Sequence, residues 1–408
     1  MTTSVAPATR TDMADAAAAV CAWLWRGGVW DSSALQCDHD WHELADLLDD
    51  HALAPLLHLA APYARPNPLP PAMVEPLGRA YLGALARSRR LVGQAAKIAA
   101  AAGQAGIDLV VLKGVAALLW LYDDPGIRVV SDLDLMIRPE RLRDMHSMML
   151  GLGYEMNSHT SLADAEAGAN GYAVNYTRAD CADVDVHVQL PGRAGRCADS
   201  RAVWEDAPPA PGGLAALRLN ARHSLLTSAS HFAMHTRELP PASLKDLVDI
   251  GLLVGRHLPP GELARAVAEA EDWGVADDLR LVDEAVWTVF GLSVLPDAPV
   301  AHTVRDRSSY VFSRRDHRSP ALQAEAVPDI YWKRLSGIGK VGGLAARVEY
   351  LWRLAFPAAP NMRRRYGRAP GQSLAWPYVH HLGRIVARLA AGLAARALSR
   401  ARPRRKAP

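Results

Sequence analysis

The chain has 408 residues, 50% hydrophobic and 22% charged, with a formal net charge of +3 at pH 7. Roughly 100–200 residues per domain gives two or three domains. The composition excludes wholesale disorder, and a mean hydropathy of -0.04 excludes a polytopic membrane protein. The four cysteines, Cys21, Cys37, Cys181 and Cys197, are too few for a disulfide scaffold, and no CxxC pair suggests a zinc ribbon or a redox dithiol.

The N-terminal apolar run is short, follows Asp12 and Asp15 and has no basic leader, so it reads as the start of an amphipathic helix rather than a secretory signal. No uncharged apolar stretch reaches the roughly 18 residues of a membrane span, and a reducing cytoplasm is the expected compartment. Residues 11 to 100 read as all-helical: apolar residues recur at helical spacing in DWHELADLLDDHALAPLLHLA and VEPLGRAYLGALARSRRLVGQAAKIAAAAG, with PYARPNPLPP as a proline-rich connector. From Gly106 the texture changes. IDLVVLKG reads as a buried strand and VAALLWLY as a helix. DLDLMI reads as a half-exposed strand, PERLRDMHSMMLGLG as a helix closed by Gly151 and Gly153, and DVDVHVQL (183–190) as a strand paired with NGYAVNYTRAD (170–180). Helical periodicity returns from 214 to 292. Residues 296–330 read as a long polar loop, IYWKRLSGIGKVGGLAARVEYLWRLAF follows, and residues 361–408 carry eleven arginines, one lysine and no acidic residue. The expected divisions are a helical lobe at 1–104, a small α/β core at 105–208, a helical lobe at 209–295, a linker with an amphipathic helix at 296–360 and a basic tail at 361–408.

The strongest chemical signal is Ser131-Asp132-Leu133-Asp134-Leu135. Residues i and i+2 of a strand share a face, so Asp132 and Asp134 present two carboxylates side by side. Their repulsion is relieved by a cation, and hard divalent ions such as Mg²⁺ take one or two carboxylates plus phosphate oxygens. Alone, such a DxD pair reads more readily as a solvated strand face. Upstream, Lys113-Gly114 ends a strand before a helix, where a glycine lets phosphate approach backbone N–H groups and a lysine adds a point charge. Downstream, Asp183, Asp185 and His187 share one face of a third strand, and one of those aspartates could complete a three-carboxylate cluster for a metal–triphosphate.

LVVLKGVAALLWLY, Arg128 with SDLDLMI, GLGY and DVDVH together resemble the uncharacterised nucleotidyltransferase family of bacteria, a branch of the DNA-polymerase-beta-like nucleotidyltransferases; SHFAMHTRELPPASLKDLVDIGLLV resembles its downstream helical region. The likeness runs over about residues 40–290. It implies an α+β fold, a small mixed β-sheet nucleotidyltransferase core flanked by N- and C-terminal helical lobes. It implies Mg²⁺ (or Mn²⁺) bound by Asp132, Asp134 and Asp185, with an NTP, ATP foremost, as substrate. Asp185 is preferred to Asp183 because the family pattern is Asp-x-His, and it would help deprotonate an acceptor. Lys113 and Gly114 stand where the wider superfamily has Gly-Ser at the phosphate-binding turn, and Ser131 and Arg128 are implied phosphate contacts. The acceptor could be a small metabolite, a sugar, a peptide or a protein, in the making of a specialised peptide or polysaccharide. The alternatives are a nucleotide-binding protein that keeps the fold without turnover, and an interaction scaffold.

Other features weigh less. His231 and His235 are i, i+4 on an expected helix, but position 232 is Phe where the HExxH zinc pattern needs Glu, so a structural or substrate-contact role is the expectation. SGIGKVGG (336–343) lacks the GxxxxGK[ST] form and reads as a helix-breaking turn. The basic tail reads as a solvated helix end or as an amphipathic helix on anionic lipid. Few aromatics interleave with its arginines, so no specific nucleic-acid partner is expected.

Overall fold

The computed structural model describes residues 8–156, 162, 173–190, 200–237, 243–295, 306–316 and most of 344–401. SGIGKVGG lies outside the described residues, as does most of the 296–330 stretch. The fold is α+β, a small mixed sheet among helices, as the family resemblance implies.

The N-terminal helix Arg10–Arg26 opens on a capping box in which Thr9 and Asp12 satisfy each other's backbone N–H groups. The periodic stretch from 40 to 60, continuous in its apolar spacing, divides into Asp38–Asp50 and Ala54–Ala60. Ala52 between them has φ +59, and Pro55 suits the first turn of a new helix rather than the interior of an old one. Two strands, β1 (Trp30–Asp31) and β2 (Ala64–Arg65), pair in parallel inside the region expected to be all-helical. They are too short to display a period. Helix Pro71–Gln104 then runs for 34 residues.

The six-stranded sheet has the order β5-β6-β7-β4-β3-β8, where β3 is Val110–Val111, β4 Leu133–Met136, β5 Glu155–Met156, β6 Ala173–Thr177, β7 Val184–His187 and β8 Leu217–Arg218. β4 pairs in parallel with β7 and antiparallel with β3. Alternation along the central strands divides their side chains between two cores. Leu133, Leu135, Val184 and Val186 pack with Leu91 and Ile98 of the long helix. Met136 and Val110 belong instead to a core shared by the N-terminal helices and the helices Ala221–Arg237, Leu244–Leu252 and Ala276–Phe290. Asp134 lies in the same alternating row as Met136, on the face turned to those helices. The strand expected at 107–114 is only two residues long, because the chain turns into helix Lys113–Trp120 directly after Leu112.

Residues 306–316, expected within a polar loop, form the short helices Ser308–Val311 and Ser313–Asp316, with Val311 and Phe312 buried. His51 fastens them. It is fully buried; its Nδ1 accepts from Leu244 N–H at 3.0 Å, so its Nε2 carries the proton donated to Val311 carbonyl at 2.6 Å. Burial, first, lowers its pKa to about 4. Protonation would forfeit the Leu244 bond. The unfolded chain takes up a proton near pH 6.5 and the folded one does not, so this stabilisation is present above pH 6.5 and declines as pH falls to about 4. Chemical denaturation across pH 7 to 4 should show a loss of about 3 kcal/mol from this group, absent in His51→Gln.

Candidate active site

A cavity of about 490 Å³ opens between the carboxylate face of the sheet and the helices that cover it. The seven residues to which the family resemblance gives a role line it: Lys113, Gly114, Arg128, Ser131, Asp132, Asp134 and Asp185. β4 and β7 bring the carboxylates together. In their parallel register Asp134 stands opposite Asp185, while Asp132 lies two residues before Asp134. Asp183 precedes β7 and is not in the cavity wall.

Asp134 is buried, and its Oδ1 accepts from Lys113 Nζ at 2.7 Å and from His187 Nε2 at 2.8 Å. Burial pushes its pKa up, but Lys113 and His187 outweigh burial and hold it well below the usual carboxylate range. Asp185 goes the other way. Burial is the main cause and Asp134 adds to it, so its pKa is raised even though Asn175 donates an amide N–H at 2.7 Å. Two adjacent carboxylates with opposed shifts are an arrangement suited to one permanent anion and one proton acceptor. Ser131 Oγ donates to Asp132 Oδ1 at 3.0 Å.

Three residues sit differently from their expected use. Lys113, read as a phosphate contact, spans to Asp134, and it starts its helix at φ +46, the left-handed region that a side-chain-bearing residue rarely adopts. Gly114 is not a turn but the second residue of that helix. A Cβ there would lie 2.8 Å from Val130 Cγ1, so the missing side chain admits Val130. Arg128 grips Asp249: its Nη2 donates to Oδ2 at 2.8 Å and its Nε to Oδ1 at 3.0 Å, while the Tyr122 hydroxyl donates to Oδ1 at 2.6 Å. Both partners are largely buried.

The roof of the cavity comes from a region in which the sequence pointed only to His231 and His235. Those two imidazoles do line it, edge to face with centroids 4.5 Å apart, and burial lowers the pKa of His231 to about 4. Lys245, Asp246 and Asp249 line it as well. They were legible as charges on one face of an otherwise apolar helix, LKDLVDIGL. Thr227 is almost fully buried in the same wall, and its hydroxyl has no hydrogen-bond partner among the described residues.

Among the described residues, no three carboxylate, imidazole or thiol groups converge into a complete protein cage for a metal ion. The donor set still fits magnesium. That ion characteristically takes one or two carboxylates and completes its shell with phosphate oxygens and water. Asp134 and Asp185 are adjacent oxygen donors, and the raised pKa of Asp185 marks a carboxylate whose charge a cation would favour.

Comparison with known proteins gives a match to the model of an uncharacterised nucleotidyltransferase family over residues 38–286, more than half of the chain. No curated protein matches. Among solved structures, the antibiotic-resistance factor ANT(2'')-Ia, determined in solution, is similar over 47% of this chain and 98% of its own, with 16% identity and a TM-score of 0.33. Among the described residues, no helix is long and apolar enough to cross a membrane.

Proposed function

The chain belongs to the uncharacterised nucleotidyltransferase family, and from that premise we propose that it moves a nucleoside monophosphate from an NTP, ATP foremost, to an acceptor hydroxyl, with magnesium. The observation that carries this reading is the register pairing of Asp134 with Asp185 in one cavity with Asp132 and Lys113. Asp134 and Asp185 would hold Mg²⁺, with Asp132 adding negative charge to the same wall, and the ion when bound offsets charge on the attacking and leaving oxygens. The acceptor oxygen bonds to the α-phosphorus, the bond from that phosphorus to the pyrophosphate oxygen breaks, and Asp185 takes the hydroxyl proton. Its raised pKa makes it the better base of the pair. Lys113 supplies positive charge beside Asp134, within reach of anionic phosphate. The helical roof excludes water and orients the acceptor.

Incubation with each NTP, Mg²⁺ and a panel of hydroxyl acceptors should release pyrophosphate in step with a nucleotidylated product seen by mass spectrometry. Nucleotide binding with no pyrophosphate from any acceptor would replace this reading by a second one. The Lys113–Asp134 ion pair favours that second reading, a binding protein in which the ammonium holds the cation's place.

A further inference from the structure

A second cavity of about 630 Å³ lies beside the first, and Ser131 lines both. Arg87, Arg90 and Lys97 form one wall. Their spacing of three and seven residues stacks them along one face of the long helix Pro71–Gln104. Arg178 closes the opposite side, its guanidinium 5.1 Å over the Tyr154 ring and its Nη1 donating to Leu152 carbonyl at 2.8 Å. Against these four cations the walls carry one carboxylate, Asp180.

Two observations set this groove apart from an ordinary solvated helix face. First, some arginines elsewhere in the helical regions are neutralised by carboxylates: Arg222 binds Asp206, Glu262 and Glu269, and Arg280 binds Asp277 and Glu271. Among the described residues, Arg87, Arg90, Lys97 and Arg178, all exposed, form no such ion pair, and Arg87 and Arg90 stand one turn apart with like charge. Second, the walls are fixed to each other. The Gln94 amide donates to Ala182 carbonyl at 2.8 Å and accepts from Ala182 N–H at 3.1 Å, joining the long helix to the turn before β7. A rigid groove of that size with net positive charge fits a small anion-bearing molecule.

We propose that this groove binds the phosphate group of a phosphorylated small-molecule acceptor, whose hydroxyl then passes Ser131 to reach Asp185. The acceptor's role rests on the transfer reading above; the binding of phosphate does not. The test is calorimetric titration of the full chain at low salt with glucose 6-phosphate as a simple phosphomonoester, inorganic phosphate, and glucose. Both phosphates should bind saturably and glucose should not. Arg87→Gln with Arg90→Gln keeps helix propensity and should weaken phosphate binding by about tenfold, as expected for a lost charge-assisted contact. Arg89→Gln, on the same helix and outside the groove, should bind as the parent does. Phosphate binding that is absent, or unchanged in the double variant with an unchanged melting curve, overturns the proposal. So does binding to phosphatidate vesicles without binding to soluble phosphate, which would assign the cations to a lipid surface. If phosphate binds as stated and no acceptor yields pyrophosphate, the groove stands and the transfer reading falls.

Discussion

Asp132→Asn is expected to lower pyrophosphate release by about 10³-fold, close to 4 kcal/mol of barrier, while leaving the melting temperature unchanged. The substitution keeps size and hydrogen bonding but removes one negative charge from the wall that would hold the metal. Its only side-chain hydrogen bond among the described residues is from the neighbouring Ser131, so the fold loses little. Asp134→Asn should lose activity to the same degree but also roughly 1–3 kcal/mol of stability, because Lys113, with 23% of its side chain exposed, and buried His187 both lose their charged partner. The two variants therefore separate chemistry from folding. The Asp134 pairing also has an acid signature. Its folded pKa lies below the ordinary value, so the stability it contributes is present above the usual carboxylate range and is lost as pH falls through the folded value. Asp134→Asn should lack that loss in denaturation curves taken at decreasing pH. Full pyrophosphate release in Asp132→Asn would remove the carboxylate roles.

The largest stability change should come from Arg128. Its guanidinium and the Asp249 carboxylate are 6% and 13% exposed at the side chain, and Tyr122 adds a hydroxyl donor to the same carboxylate. Burial disfavours the arginine's charge, but Asp249 outweighs burial and its pKa is raised, so the ion remains ionised at any pH of interest. Breaking such a pair from one side leaves a buried charge alone, at a cost of about 3–5 kcal/mol. Arg128→Met should lower stability by that amount in urea unfolding. Arg128→Met with Asp249→Leu should recover part of it, since an apolar pair replaces the buried ions and only the Tyr122 hydroxyl is left without its acceptor. An Arg128→Met protein as stable as the parent would show that the clamp holds nothing together.

Much of this architecture is legible in the pattern of residues. The period-two DLDLMI and DVDVH segments are β4 and β7, and the carboxylates they carry fall in one cavity because register, once the apolar residues face inward, leaves Asp134 and Asp185 no other side. Helices Leu142–Gly151 and Ala221–Arg237 lie where apolar spacing puts them. What escapes has physical causes. β1, β2, β5 and β8 are two residues each, too short to repeat a period. The 306–316 helices carry their apolar residues, Val311 and Phe312, side by side, which no helical stripe announces. Arg128 reads as a ligand contact because its partner lies 121 residues downstream, a separation that local patterns do not span. Gly114 invites a phosphate explanation, whereas Val130, distant by only sixteen positions, occupies the space its side chain would need.

Lys113 gives one more consequence. A glycine would adopt φ +46 freely, whereas lysine pays about 1 kcal/mol for it. The chain thus keeps the joint between β3 and the following helix under tension, at the residue whose ammonium reaches the aspartate pair. Without that ammonium, the Asp134 carboxylate would keep only His187 as a hydrogen-bonded partner among the described residues.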